Sequence, residues 1–302
     1  MKRKIIKQAS QAYTLTLPIA WVRKNGLNEK SEVDVLESGR KLIVNSKEEV
    51  CGGKIKIDVN DIHSRVLYLH INSLYAKGFD EIELISSKDI SSEIITCLNS
   101  LVGYALVSKK GSSYLVKDIG GGKEQDLDEI FKRVFQVILF FYEEAMKDII
   151  GEEKETLDSL RMRDLEVNKL CLYLQRSINR MHYPDSIDGR TLFTYSFALE
   201  LIGDEIYRLW RTNVEGKIKK NKASKELLEL CKEGLEECFD LYYMFSSKKV
   251  EKIYDLRNKI REKSFEVINC PQEILVRHIV KIMDEAADLS HLTLMKNLVE
   301  KP

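Results

Sequence analysis

Hydrophobic and polar side chains alternate along four short stretches near the start of the chain. In the second stretch, Tyr13, Leu15 and Leu17 are separated by threonines, which is the two-residue period of a half-buried strand. Pro18 and Gly26 then bound a short helix, since proline suits a first helical turn and glycine a C-terminal stop. The alternation predicts strands at residues 4–8, 13–17, 31–37 and 41–45, with a tight turn at 38–40.

This first unit, residues 1–47, is too small to enclose a stable core. Domains of this size usually depend on disulfides, a metal or a partner chain. The sequence offers no disulfide framework here. We therefore expect an obligate homodimer, or a higher oligomer, whose chains share one core.

The next segment, residues 48–122, follows a βαβαββ order. That order predicts a small α/β domain with a mixed sheet. It contains neither a glycine-rich phosphate loop nor a nucleophile motif, so its role stays open. Strands are predicted at 54–59, 81–86, 104–109 and 113–118, and a flexible joint at the triple glycine 120–122. One helix is predicted to be capped by Asp61 and to run to Lys77, and a second at 91–101.

From residue 123 to residue 302 the hydrophobic period changes to three or four residues. Leu192, Tyr195, Leu199, Ile202 and Ile206 are one example, and this spacing is typical of helices in a bundle. Six helices are predicted, at 127–150, 153–181, 190–213, 223–246, 248–268 and 272–298. They divide into two three-helix bundles, at about 124–215 and 221–298. The chain as a whole is therefore predicted to be multidomain α+β.

Charge is distributed unevenly in a chain that is neutral overall, with 48 basic and 48 acidic residues. The first 28 residues contain no Asp or Glu. A dimer would double this positive charge and attract the backbone of a polyanion. The alternative is that the six cations only keep a small dimer soluble. We predict DNA binding through the six basic residues of this stretch: Lys2, Arg3, Lys4, Lys7, Arg23 and Lys24.

Acidic residues four apart recur on the predicted helices. Glu200 and Asp204 share one helix face, as do Asp284 and Asp288 in the last helix. One interpretation is a metal site, because oxygen ligands on neighbouring helices can enclose a metal ion. The alternative interpretation is a solvent-exposed helix face with ordinary surface acids. Further candidates at matching positions are Asp164, Asn168 and Asp255.

Several function classes are disfavoured by the sequence. The six cysteines show no C-x-x-C spacing and are typical of reduced cytoplasmic thiols. No hydrophobic run approaches the ~20 residues of a membrane span, and no apolar segment follows the basic start as in a signal peptide. Since no nucleophile–base pair and no complete carboxylate–histidine set is present, we predict a cytoplasmic protein that is neither membrane-inserted nor an enzyme.

Residues 1–46 resemble the AbrB/MazE/SpoVT family. The similarity rests on Leu15-Thr16-Leu17-Pro18, Trp21-Val22, Leu27, Glu32-Val33-Asp34-Val35 and Leu42-Ile43-Val44. It implies a swapped-hairpin β-barrel dimer that binds DNA through basic residues near the barrel mouth. Two positions depart from the pattern: Ile19 stands in place of a basic residue, and Lys30-Ser31 stands in place of Gly-Asp.

Residues 124–298 resemble PhoU, a tandem of two three-helix bundles with an E-x-x-x-D-x-x-x-[DN] motif. Leu199-Glu200-Leu201-Ile202-Gly203-Asp204 matches, but Arg208 occupies the third acidic place. In the last helix Val280 replaces the first acid, while Asp284 and Asp288 remain. The resemblance implies clusters of divalent or trivalent ions such as iron, zinc or magnesium.

Together the two resemblances imply a DNA-binding transcriptional regulator of phosphate uptake, like the archaeal regulators that join an AbrB-like domain to PhoU. The helical part would sense a metal or contact a phosphate ABC transporter ATPase. The competing hypothesis is an adaptor that binds only protein and uses the barrel as a dimerisation clasp. A carboxylate-bridged metal enzyme is a third alternative.

Overall fold

The structure is a computed structural model, and its chain divides into two compact units. These are Met1–Val50 and Cys51–Pro302. Both contain strands and helices, so the fold is multidomain α+β with a largely helical second unit. The residues that the structure describes are 2–8, 12–38, 41–46, 52–120, 126–151, 157–180, 187–216, 218, 221–267, 270 and 272–298. Most of the predicted turn at 38–40 and of the predicted joint at 120–122 lies outside the described residues.

The described residues of the first unit form two antiparallel strand pairs and one short helix. In the first hairpin Ile5 lies opposite Leu15. The third strand begins later than predicted because residues 28–31 form a turn, in which the Ser31 hydroxyl oxygen accepts the Asn28 N–H at 2.9 Å. The elements are β1 (Ile5–Gln8), β2 (Ala12–Leu15), α1 (Ile19–Lys24), β3 (Asp34–Ser38) and β4 (Lys41–Asn45).

This unit lacks a core among its described residues. Every side chain whose burial is described there is exposed or half-buried. Ile5 in β1 is 68% exposed and Leu42 in β4 is 62% exposed. Within one chain the described strands form two separate two-stranded sheets and no closed barrel. The predicted barrel needs strands from two chains, so it remains a prediction.

The middle segment forms one four-stranded mixed sheet with the predicted βαβαββ order. Ile82 and Leu84 of β6 are buried on the helix-covered face, while Glu83 on the other face pairs with Lys54 and Lys56. The first helix starts later than predicted. The strands, in sheet order, and the helices are β5 (Lys54–Asp58), β6 (Glu81–Ile85), β8 (Ser113–Asp118), β7 (Tyr104–Lys110), α2 (Ser64–Lys77) and α3 (Ser91–Leu98).

The later start of α2 follows from its N-terminal cap. The His63 ring accepts the Arg65 N–H at 3.1 Å, and a side-chain acceptor at this position satisfies one of the unpaired helix-start donors. Asp61, the predicted cap, precedes the helix by one half-turn and is exposed.

In the part of the chain that the structure describes, the rest of the second unit has six α-helices in two sets of three. The first three helices pack on one another, as do the last three; in addition, the third packs on the sixth and the first packs on the fourth. One continuous hydrophobic core runs through both sets; the Phe135 and Phe239 rings stack across it with centroids 4.5 Å apart. The helices are α4 (Leu127–Ile150), α5 (Leu157–Arg180), α6 (Ile187–Gly216), α7 (Lys222–Tyr243), α8 (Ser247–Ser264) and α9 (Glu273–Asn297).

The middle segment, from here on called the sheet segment (β5 to β8 with α2 and α3), is attached to the first bundle by a buried arginine of α5. The Arg176 side chain is 3% exposed. It donates to the Tyr75 and Phe79 carbonyls at 3.0 and 2.8 Å and to the Asp118 carboxylate at 2.8 Å. Its guanidinium also lies 4.9 Å from the centroids of the Tyr75 and Tyr104 rings. A buried charge with this many partners fixes the position of the sheet segment on α5.

Replacing Arg176 should therefore destabilise the second unit strongly. Arg176→Ala removes the buried charge that pairs with the Asp118 carboxylate and one donor from each of the Tyr75 and Phe79 carbonyls. Breaking a buried pair in this way costs about 3–5 kcal/mol. The matched control is Arg133→Ala, because Arg133 is 59% exposed in its ion pair with Glu166 and such pairs contribute about 1 kcal/mol or less. Urea denaturation of both variants measures the difference. Equal losses of stability would show that Arg176 is an ordinary surface contact.

Candidate functional site

The six basic residues singled out at the N-terminus are all described and all exposed. Lys7 lies in β1 opposite Tyr13. Arg23 and Lys24 are in the last turn of α1, where positive charge complements the negative end of the helix dipole. Lys2, Arg3 and Lys4 precede β1.

Among the described residues, no acid forms an ion pair with these six side chains. Every ion pair that the structure describes involves residues of the second unit, beginning with Lys54 and Glu83. The cations of residues 2–24 thus keep their charge available for an external anion, in contrast to most of the clustered charges of the helical segment. This is the electrostatic arrangement that attracts a polyanion backbone.

A second candidate site lies between α5 and α6 of the first bundle. A Cβ built on Gly203 would lie 2.8 Å from Val167 Cγ1, so only glycine permits the present distance between the two helices. Asp164, one turn before Val167, and Asp204, directly after Gly203, interact electrostatically across this contact. Close packing at Gly203 therefore brings acids of two helices together.

Burial disfavours the charged forms of Asp164 and of Glu200, which lies one turn before Asp204 on α6. Burial and the nearby Asp204 charge raise the pKa of Glu200 to about 7 and that of Asp164 to about 6. The Oδ1 atoms of Asp164 and Asn168 are buried, and neither has a hydrogen-bond partner. The first bundle thus holds oxygen atoms that could accept a proton or a cation.

An arginine already neutralises part of this cluster. Arg208 donates to Asp204 at 2.8 Å and, through its other terminal nitrogen, to Glu205 at 2.8 Å. Arg208 is the residue that stands where the PhoU motif has its third acid. A guanidinium therefore lies where the resemblance would place a ligand.

The second bundle gives its acids a different setting. The Asp284 carboxylate pairs with two guanidinium nitrogens of Arg261, at 3.0 and 2.7 Å. Asp255 and Asp288 are exposed. Across the described ranges of both bundles, no three His, Cys, Asp or Glu side chains converge closely enough to hold a metal ion. A metal role for these residues remains a prediction, and the second bundle fits it less well than the first.

Sequence reasoning did not identify the buried carboxylate beside the cluster. Glu205 is 4% exposed in its side chain. It lies 2.6 Å from His278 Nδ1 and 3.2 Å from the Lys281 ammonium, both on α9. Burial acts to raise the pKa of Glu205, but its hydrogen bonds to His278, Arg208 and Lys281 outweigh it and hold that pKa at about 2. The charged Glu205 thereby joins the two bundles.

The comparisons with known proteins agree with the first candidate site. Residues 6–49 match the family model described as "Antidote-toxin recognition MazE, bacterial antitoxin". The match covers most of the first unit and fits a DNA-binding regulator. No curated protein and no solved structure matches the chain at a significant level.

A helix that crosses a bilayer needs about 20 predominantly apolar residues in succession. None of the described helices is long and apolar enough to meet this requirement.

Gly203 supplies a test of the helix contact beneath the acid cluster. Gly203→Ala should destabilise the protein by roughly 1–3 kcal/mol through overpacking against Val167, although alanine favours a helix by about 1 kcal/mol. The double variant with Val167→Ala should recover part of that loss, which a double-mutant cycle measures. Strictly additive effects of the two substitutions would contradict the close contact.

Proposed function

We propose that this protein is a dimeric DNA-binding transcriptional regulator. The observation that carries the proposal is the set of six exposed cations in the first unit, none of which pairs with an acid in the described part of the chain. The MazE-family match over residues 6–49 supports it independently.

The proposed dimer is supported by the exposed hydrophobic side chains of the same unit. Ile5, Tyr13, Val35 and Leu42 come from all four strands and are each more than half exposed. Apolar faces of this kind are covered in stable proteins, and β-strand edges with open hydrogen-bonding groups favour pairing with another chain. A second copy would cover both hairpins and place twelve cations on one assembly.

The regulated process that we propose is phosphate uptake. The support is the resemblance of Leu199–Asp204 and of the six-helix arrangement to PhoU. On the same ground we propose a phosphate ABC transporter ATPase as a second partner. The alternative is an adaptor that regulates the transporter by protein contact alone. No observation on the described residues favours a carboxylate-bridged metal enzyme over these two.

We further propose that the first bundle senses a divalent or trivalent cation. The fit rests on the donor chemistry: Asp164 and Asn168 each have an oxygen without a hydrogen-bond donor, and Glu200 is half-buried with a raised pKa. Hard cations prefer such oxygen ligands. Asp204 would be the fourth residue, and the cation would supply the positive charge that stabilises the ionised acids.

The proposed DNA binding predicts a strong dependence on salt. If about half of the dimer's twelve cations neutralise phosphates, the logarithm of the affinity should fall against the logarithm of the salt concentration with a slope of roughly −5. Arg3→Ala or Lys7→Ala removes two contacts per dimer, so the slope should become shallower by roughly 2. A fluorescent duplex from upstream of a phosphate-transporter gene serves as the probe.

The matched control for this titration is Arg211→Ala. Arg211 pairs with Glu215 on the helical segment, so its removal changes the net charge equally without changing the first unit. The control should keep the wild-type slope. A wild-type slope near zero, or unchanged slopes for Arg3→Ala and Lys7→Ala, would favour the adaptor.

A further inference from the structure

Strand β5 lies at an open edge of the sheet segment. It is the first strand in the sheet order and, among the described strands, it pairs only with β6. The Gly53 carbonyl and the Val59 N–H both bond to β6, at 3.3 and 2.9 Å. Because the backbone groups of successive residues point to opposite sides of a strand, the N–H and C=O groups of Lys54, Lys56 and Asp58 point away from the sheet.

These outward groups have no hydrogen-bond partner in the part of the chain that the structure describes. A strand edge in this condition favours pairing with a further strand. The other outer strand, β7, is less suited to pairing, because its register on β8 shifts between Leu106 and Ser108 and such a bulge interrupts an edge. The register of β5 is regular throughout, so β5 is the edge that can accept another strand.

The side chains of β5 fit a second copy of the same strand. Lys54, Lys56 and Asp58 lie on the open face of the sheet, and antiparallel pairing centred on Lys56 places each Lys54 opposite Asp58 of the second copy. The same register places Ile55 opposite Ile57 on the helix-covered face, where both side chains are half-buried in one chain. The pairing therefore joins opposite charges on one face and apolar side chains on the other.

Lysine on an outer strand normally discourages pairing, but the two lysines of β5 already have an acidic neighbour. Lys54 and Lys56 lie 3.3 and 3.4 Å from the carboxylate oxygens of Glu83 on β6. Two Lys56 side chains at the centre of the pair would each keep this carboxylate beside them. The like-charge repulsion at the centre, which opposes cross-strand pairing, is reduced in this way.

We propose that β5 pairs with β5 of a second copy of this chain, which makes one continuous sheet across the two copies. The inference rests on the dimer proposed above. A five-residue strand buries far less than the ~1,000 Å² of a specific interface, so this contact does not hold two chains together by itself. In a dimer formed through the first unit, the two β5 strands meet at a high effective concentration, and their pairing then joins the second units as well.

Disulfide cross-linking of the full-length protein tests the proposal. Lys56→Cys is made together with Cys51→Ser and Cys270→Ser, since the other four cysteines are buried. In the proposed register the two Cα atoms of position 56 are about 5.5 Å apart, a distance that a disulfide can bridge. Mild oxidation should convert Lys56→Cys to a disulfide-linked dimer, measured on a non-reducing gel. The matched control, Lys110→Cys at the exposed end of β7, should cross-link about tenfold more slowly or less.

The charge pattern supplies a second test in the same cysteine background. Lys54→Asp places two acids opposite each other and should slow the cross-linking severalfold, because like charges across a strand pair are destabilising. Lys54→Asp combined with Asp58→Lys restores opposite charges and should recover the original rate. The melting temperature of each variant separates a slower cross-link from a loss of folding.

The outcomes separate this inference from the dimer beneath it. Cross-linking of Lys56→Cys no faster than that of Lys110→Cys, in a protein that sediments as a dimer, would overturn the β5 pairing and leave the first-unit dimer standing. Cross-linking that Lys54→Asp does not slow would also overturn the proposed pairing. A full-length protein that sediments as a monomer would overturn the pairing and the dimer together.

Discussion

The first unit buries none of the hydrophobic side chains whose exposure the structure describes. Its two hairpins expose residues such as Ile5 and Leu42 over most of their surface, and folding gains its main favourable term from removing such surface from water. A unit in this condition is stable only against another surface. The second chain that we propose would cover this surface and would also double the basic charge, which links the fold of residues 1–50 to the proposed DNA binding.

The second unit, by contrast, has a large hydrophobic core. Two buried charged side chains fix how its elements are placed around that core. Arg176 holds the sheet segment on α5, and Glu205 joins α6 to α9. Each is surrounded by partners of opposite charge or by carbonyl dipoles, as buried ions require.

The hydrophobic periods were sufficient to predict much of this architecture. The three- to four-residue spacing predicted six helices, and the described residues of that segment form six α-helices, because helix packing requires a continuous apolar stripe. The strand order of the middle segment also followed from alternation. Boundaries were less accurate where a polar contact decides them, as in the Asn28–Ser31 turn that delays β3 and the His63 cap of α2.

The contacts of single polar residues could not be predicted from the sequence. Arg176 and His278 lie on helices whose hydrophobic spacing predicts only which face is apolar. It does not predict their polar partners, which are distant in sequence. The acid spacing identified Glu200 and Asp204, but not that Arg208 would hold Asp204. Arg208 lies four residues after Asp204 on α6, so the spacing along the helix did contain this ion pair. It did not contain the contacts of Glu205 with His278 and Lys281, which come from α9.

The shared core is tested most directly by sedimentation of the full-length protein over decreasing concentration. We predict a dimer that persists at nanomolar concentration, and much weaker association after deletion of residues 1–47, since the second unit keeps its own core. A full-length protein that sediments as a monomer at micromolar concentration, with its first unit folded, would contradict the shared core.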